Sequence, residues 1–262
     1  MAADTGAFSG CNGKGYRSGK RRDGRVLAVV GTDTGVGKTE AVRALVSFLR
    51  RGGEDAVPIK PYVSGSIGER WEDLDRLGIE EKDYPPARFR AALSPYGAVR
   101  RGEPSIPISD VEEYLSNALR GHDWGIIEGI GGVMVPLDRQ NTWLDLQARH
   151  SWPALLIARS GLGTLNHTLL TLEALRIREI ETVGVVFADG TGGVTEEDAR
   201  ENAAIIAEKT AVAIRGIVPY SSDPGSAWAC NVDWSGIIRS CDGCDGKEEG
   251  EEDRGGAGGP KE

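Results

Sequence analysis

The chain has 262 residues and a formal net charge of −9, enough length for one substantial core and too acidic overall for the clustered Lys and Arg face that nucleic acid requires. No apolar run approaches the roughly 20 residues of a bilayer span, and the N-terminus carries charge and glycine where a signal peptide would need its apolar stretch. The composition predicts a cytoplasmic protein of small-molecule chemistry, with neither a nucleic-acid nor a membrane partner. All four cysteines (Cys11, Cys230, Cys241, Cys244) lie near the ends, so disulfides are not expected to hold the core.

Residues 1–25 hold six Lys or Arg against two acids without apolar periodicity, and read as a disordered lead-in. Short β-rich runs then alternate with helical patterns, which predicts βαβ units: a single α/β domain over 26–220, with a mostly parallel sheet and helices on both faces. The predicted strands are Val26–Val30, Ala56–Lys60, Trp124–Glu128, Ala154–Ala158, Val183–Phe187 and Ala211–Val218. The predicted helices are Lys38–Arg51, Asp110–Arg120, Leu165–Arg178 and Glu196–Lys209. Ser109 and Glu112 have the spacing of a capping box for the second of these. Residues 221–262 carry ten acids against four bases and read as a polar, low-complexity tail.

The first strand runs into Gly31-Thr32-Asp33-Thr34-Gly35-Val36-Gly37-Lys38-Thr39, and a helix follows at once. Such a loop cradles phosphate. Its glycines let backbone N–H groups close on oxygens, Lys38 reaches the outer phosphates, and the Thr39 hydroxyl ligates Mg²⁺. The loop is a variant of the P-loop pattern, because Thr32 stands where the leading glycine is usual. Two classes use such variants: ATPase switches that recruit partners, and ligases that phosphorylate a carboxylate or carbamate. The switches carry a second lysine five residues before the loop lysine. Here that place holds Asp33, which favours an enzyme. An amide-forming synthase would need a glutamine-hydrolysing part, for which the residues after 220 leave no length.

Three further stretches join this loop: Lys60-Pro61-Tyr62-Val63-Ser64-Gly65, Glu128-Gly129-Ile130-Gly131-Gly132 through Leu137, and Ser160-Gly161-Leu162-Gly163-Thr164-Leu165-Asn166-His167-Thr168 with the Thr171–Leu175 that follows. In this order they resemble the dethiobiotin synthase family of P-loop enzymes over about residues 26–220. The resemblance implies an ATP- and Mg²⁺-dependent cyclo-ligase that joins CO₂ to 7,8-diaminononanoate in biotin synthesis. A carbamate on one amine is phosphorylated, and the second amine closes the ureido ring.

By the same resemblance Lys60 and Lys38, with the Thr34 and Ser64 side chains, act on the carbamate and the transferring phosphoryl group. Asp33, Thr34, Gly35, Val36, Gly37, Lys38, Thr39, Glu128 and Gly131 hold the nucleotide, with Ala188, Asp189 and Pro219 beside its base. Thr39, Asp73 and Glu128 hold Mg²⁺, with Asp75 or Glu72 as alternatives to Asp73 in the same stretch. Ser64, Gly129, Gly163, Thr164 and Asn166 bind the acceptor, the last three from the neighbouring subunit of a homodimer. Glu128 also has an argument of its own, because it ends an apolar strand beside a glycine loop, where a carboxylate meets a metal without being buried unpaired. Ala188 stands where the family has Asn, and a methyl group cannot pair with a base edge, which predicts loose discrimination between nucleotides. Ile130 replaces a small residue and is expected either to crowd the acceptor or to shift the glycine loop. His167 reads as a structural partner, and Cys241-Asp242-Gly243-Cys244 as tail rather than half a zinc site.

Overall fold

The structure is a computed structural model and describes residues 24–242. In chain order it contains β1 (Arg25–Gly31), α1 (Lys38–Arg51), β2 (Ala56–Ile59), β3 (Tyr62–Ser64), α2 (Glu72–Leu77), β4 (Ala87–Phe89), α3 (Pro95–Arg100) and α4 (Ile108–Leu119). There follow β5 (Trp124–Gly132), α5 (Trp143–Arg149), β6 (Ala154–Arg159), α6 (Thr164–Ile177), β7 (Thr182–Ala188), α7 (Glu196–Thr210), β8 (Ile214–Val218), α8 (Pro224–Asn231) and α9 (Trp234–Cys241).

Six strands form one sheet in the order β2-β5-β1-β6-β7-β8, every neighbouring pair parallel. Their near-continuous apolar sequences follow from this, since both faces of a parallel sheet are covered by helices. In β1, Leu27 and Val29 face one core with Val42, Leu45 and Leu49 of α1, while Ala28 and Val30 face the other with Val111, Leu115, Leu172 and Leu175 from α4 and α6. The buried positions of α1 recur at helical spacing, and Arg50 and Arg51 close its last turn against the helix dipole. β1 lies at the centre, with β5 on one side and β6 on the other. Ligands of open α/β sheets bind where the strand order reverses in this way, at the carboxyl edge.

The six strands and four helices read from the sequence are all present, with ends displaced by a few residues. The capping box expected at Ser109 is not formed. Extended Pro107 precedes the helix directly, which puts Ser109 inside the first turn, where its hydroxyl meets the Asp110 carboxylate at 3.2 Å. A capping box does open α5, from Thr142 and Asp145. The last strand begins at Ile214 rather than Ala211, because Ala211 turns into the left-handed conformation at the end of α7.

The reading of residues 221–262 as one polar tail is corrected. Asp223 and Asp233 accept hydrogen bonds from the Ser226 and Gly236 N–H groups and so start α8 and α9. Trp234, Ile237 and Ile238, at helical spacing, are buried together with Trp228 in the α1-side core. Average composition hid this short apolar segment beside an acidic run. That run, and the lead-in of residues 1–23, lie outside the described residues.

Candidate active site

β1 delivers the phosphate loop to the centre of the carboxyl edge. Gly31 is required by space, since a Cβ there would lie 2.9 Å from both the Lys38 Nζ and the Asp33 carbonyl oxygen. Gly37 is required by conformation, with φ of 102° as it caps α1, and the Trp228 indole packs over it, 2.8 Å from where a Cβ would stand. Within the loop, Lys38 Nζ donates to the Asp33 carbonyl at 2.8 Å, and Thr34 N–H donates to the Asp33 carboxylate at 2.7 Å.

Two buried lysines converge here. Lys38 is brought down to about 8 by burial and then by the Lys60 ammonium, against the opposing pull of Glu128, Asp73 and Asp33. For Lys60, immediately after β2, burial also favours the neutral amine, but the Glu128 and Asp73 carboxylates outweigh it and hold the group above the ordinary lysine value. Lys60 pairs with Glu128 in a short contact and with Asp73 at 3.0 Å. Burial works against ionisation of Asp73, and Lys60 overcomes it, leaving the Asp73 carboxyl below the usual range.

The Thr39 hydroxyl donates to Glu128 Oε1 at 3.0 Å, with Asp73 Oδ1 at 3.5 Å. The second Glu128 oxygen is buried and has no partner. One hydroxyl and two carboxylates, one of them with an orphaned oxygen, are hard oxygen donors that suit Mg²⁺, which usually takes only one or two protein carboxylates and completes its shell with phosphate and water. The described residues contain no group of three or more His, Cys, Asp or Glu suited to a metal.

Glycines shape the wall after Glu128. A Cβ on Gly129 would meet the Trp143 indole at 3.1 Å, and one on Gly131, whose φ is 57°, would meet Val135 at 2.7 Å and the Thr34 hydroxyl at 3.3 Å. The carboxyl end of β5 is thereby packed against the phosphate loop.

The resulting cleft of about 640 Å³ unites most of the residues expected at the site. It is lined by Thr34, Gly35, Gly37, Lys38 and Thr39 of the phosphate loop and α1, together with Lys60, Ser64, Asp73, Glu128 and Gly131. Ile130 lines it too, where a bulky side chain narrows the space. Val36 is buried in the α1-side core and is not among the lining residues. Ala188, Asp189 and Pro219 stand at the ends of β7 and β8, where Asp189 N–H donates to the Val218 carbonyl at 3.0 Å. The Ala188 methyl lies 3.8 Å from a Cβ built on Gly37, whereas the Asp189 carboxylate is engaged by the N–H groups of Thr191, Gly192 and Val194.

Gly163, Thr164 and Asn166 are not brought to the cleft within one chain. The Thr164 side chain is buried against the Thr168 hydroxyl, while Gly163 and Asn166 are exposed. His167 is exposed, and its backbone carbonyl accepts from the Thr171 hydroxyl. Sequence reasoning passed over Trp143 and Trp228, which shape the two glycine loops, and Arg159, whose guanidinium meets Asp33 at 2.6 Å. A charged residue ending the apolar run of β6 was the available signal for Arg159.

The doubly flanked parallel sheet, the glycine loop at its centre and the Lys-Thr pair opening α1 define a P-loop protein of the α/β class. The AAA domain family matches residues 25–226. The chain is 39% identical over 205 residues to the ATP-dependent dethiobiotin synthetase BioD of Anaeromyxobacter dehalogenans strain 2CP-C, covering 76% of this chain and 92% of that protein. It is 37% identical over 199 residues to the protein of the same name from Haloferax mediterranei, covering 74% and 84%. Among solved structures, the septum site-determining protein MinD from Pyrococcus horikoshii, complexed with Mg-ADP, superposes with a TM-score of 0.51 at 14% identity, over 84% of this chain and 96% of that one, which shows the fold alone. The chain belongs to the ATP-dependent dethiobiotin synthetase family.

Proposed function

We propose that this chain carries out ATP-dependent carboxylation and ring closure of 7,8-diaminononanoate, forming the ureido ring of dethiobiotin. The observation that carries the reading is the placement of Lys60, paired with Glu128 and Asp73, across one cleft from the phosphate loop.

In this reading a carbamate formed on one acceptor amine is held by Lys60 and Ser64. Lys38 and the loop N–H groups of Gly35 and Gly37 take up the negative charge that accumulates on the phosphoryl oxygens during transfer. Lys60 is kept cationic by its carboxylate partners, so it serves as a charge and a donor, not as a base. Thr39, Glu128 and Asp73 would hold Mg²⁺, which when bound would neutralise phosphate charge. The second amine then displaces phosphate and closes the ring.

The acceptor's distal carboxylate is assigned to the Gly163–Asn166 loop of a second subunit. A homodimer is supported by the exposed apolar side chains on and beside α6, Leu162, Leu170 and Ile177, and by that loop not being among the residues that line the cleft of one chain. No described helix is long and apolar enough to cross a membrane, and a biosynthetic role on small molecules supports a cytoplasmic site of action. Incubation with diaminononanoate, bicarbonate, Mg²⁺ and ATP tests the reading: dethiobiotin with stoichiometric ADP is expected, and no product from folded protein at millimolar substrate would refute it.

A further inference from the structure

The phosphate loop contains a charge of the wrong sign. Asp33 projects from its third position with half its side chain exposed, where the anionic phosphates must arrive. It is also tied to both halves of the loop, since its carboxylate accepts from Thr34 N–H and its carbonyl from Lys38 Nζ. Its countercharge comes from outside the loop. Arg159 ends β6, the strand next to β1, and its Nη2 donates to Asp33 Oδ2 at 2.6 Å.

Arg159 has no other hydrogen-bonded or ion-pair partner among the described residues, and its Nε–H is buried without an acceptor. An unsatisfied buried donor costs stability. The fold therefore gains little from this arginine except through Asp33.

We propose that Arg159 is a positioning residue for nucleotide binding: it neutralises Asp33 and draws the carboxylate off the phosphate path, keeping Thr34 and Lys38 aligned. The inference deepens the ATP reading and rests on it. Without Arg159 the carboxylate would stand uncompensated beside the incoming phosphates. Because the pair is half exposed, solvent screens much of the effect, and the loss of affinity is expected to be about 5- to 30-fold.

The test is calorimetric titration of Mg-ADP and a non-hydrolysable ATP analogue into the full chain, at low and high salt. Wild type, Arg159→Met, Arg159→Lys and Arg159→Met combined with Asp33→Asn are compared at a temperature where all four are folded. Arg159→Met should bind roughly tenfold more weakly at low salt, with a smaller deficit at high salt. In turnover, KM for ATP should rise while kcat changes by less than about twofold. Arg159→Lys should recover most of the affinity, and so should the double variant, in which the repelling charge is gone and the introduced side-chain amide can still accept from Thr34 N–H. Arg159→Met binding as tightly as wild type, or a double variant no tighter than Arg159→Met, would overturn the proposal. A wild-type chain that binds neither nucleotide would overturn the ATP reading itself, and the inference with it.

Discussion

Lys60 and Glu128 form an ion pair in which both side chains are almost wholly withdrawn from water, 4% and 1% exposed, and Thr39 donates to the same carboxylate oxygen. Such a pair is a costly way to stabilise a fold, because desolvation consumes most of the Coulombic gain. Its presence at the cleft is better explained by chemistry. Lys60→Ala should lower turnover by at least about 10²-fold while nucleotide affinity is largely kept. It should also lower stability by about 3–5 kcal/mol, because Glu128 is left buried without its main countercharge. Adding Glu128→Gln should recover part of that stability and none of the turnover, and thermal melts with single-turnover kinetics would separate the two effects. A fully active Lys60→Ala would remove the residue from the mechanism.

Lys38 gives the nucleotide step a pH dependence of defined sign. Burial and Lys60 bring its ammonium down to about 8, so the free enzyme carries the charge below that value and loses it above. Binding of anionic phosphate needs the charged form. kcat/KM for ATP should therefore fall as pH rises through about 8, and Lys38→Arg, which stays protonated, should lack this limb even if its overall rate is lower. A flat profile from about one unit below that value to about one unit above it, for the wild-type chain, would contradict the assignment.

Trp228 joins the last described helices to the phosphate loop through its contact with Gly37. Trp228→Ala should cost about 3–5 kcal/mol by opening a cavity in the α1-side core. Weaker nucleotide binding should accompany the loss, because the glycine that caps α1 loses its cover. Truncation after residue 220 should abolish the cooperative melt. A truncated chain that melts like the full one would show that α8 and α9 are not part of the folding unit.

Ala188 ends β7, and under the proposed function its methyl group stands where a base edge would be read. Turnover with ATP, CTP and GTP should therefore differ by no more than a few fold. Ala188→Asn should raise the preference for ATP roughly tenfold, the worth of one neutral hydrogen bond with its geometry satisfied. Equal nucleotide ratios in the two forms would separate Ala188 from base choice.

The parts legible in the sequence were those with a local signature. An apolar strand meeting a glycine loop and Lys38-Thr39 announced both the fold and the phosphate loop, whereas the reading of Glu128 as the end of its strand is corrected: β5 runs on to Gly132, and Glu128 is buried within it with one oxygen unpartnered. The parts missed depend on contacts far apart in the chain. The pairing of β3 with β4 rests on three residues in each strand, too few for a periodic signal. The burial of Trp228 and Trp234 was masked by acidic neighbours, and Arg159 acquires its meaning only through Asp33, 126 residues away. Resemblance alone supplied Asp73, in a stretch where Glu72 and Asp75 are equally acidic. The structure separates the three by turning Asp73 toward Lys60 and Thr39, while Glu72 pairs with Arg76 and Asp75 with Arg70.

The most direct test of the central claim follows an oxygen atom. If a carbamate is phosphorylated in the Lys60 cleft and the second amine then expels phosphate, the expelled phosphate retains one carbamate oxygen, and that oxygen came from bicarbonate. With ¹⁸O-labelled bicarbonate, diaminononanoate, Mg²⁺ and ATP, one labelled oxygen should appear in phosphate for each dethiobiotin formed. ATP hydrolysis without dethiobiotin, or dethiobiotin accompanied by unlabelled phosphate, would contradict the account.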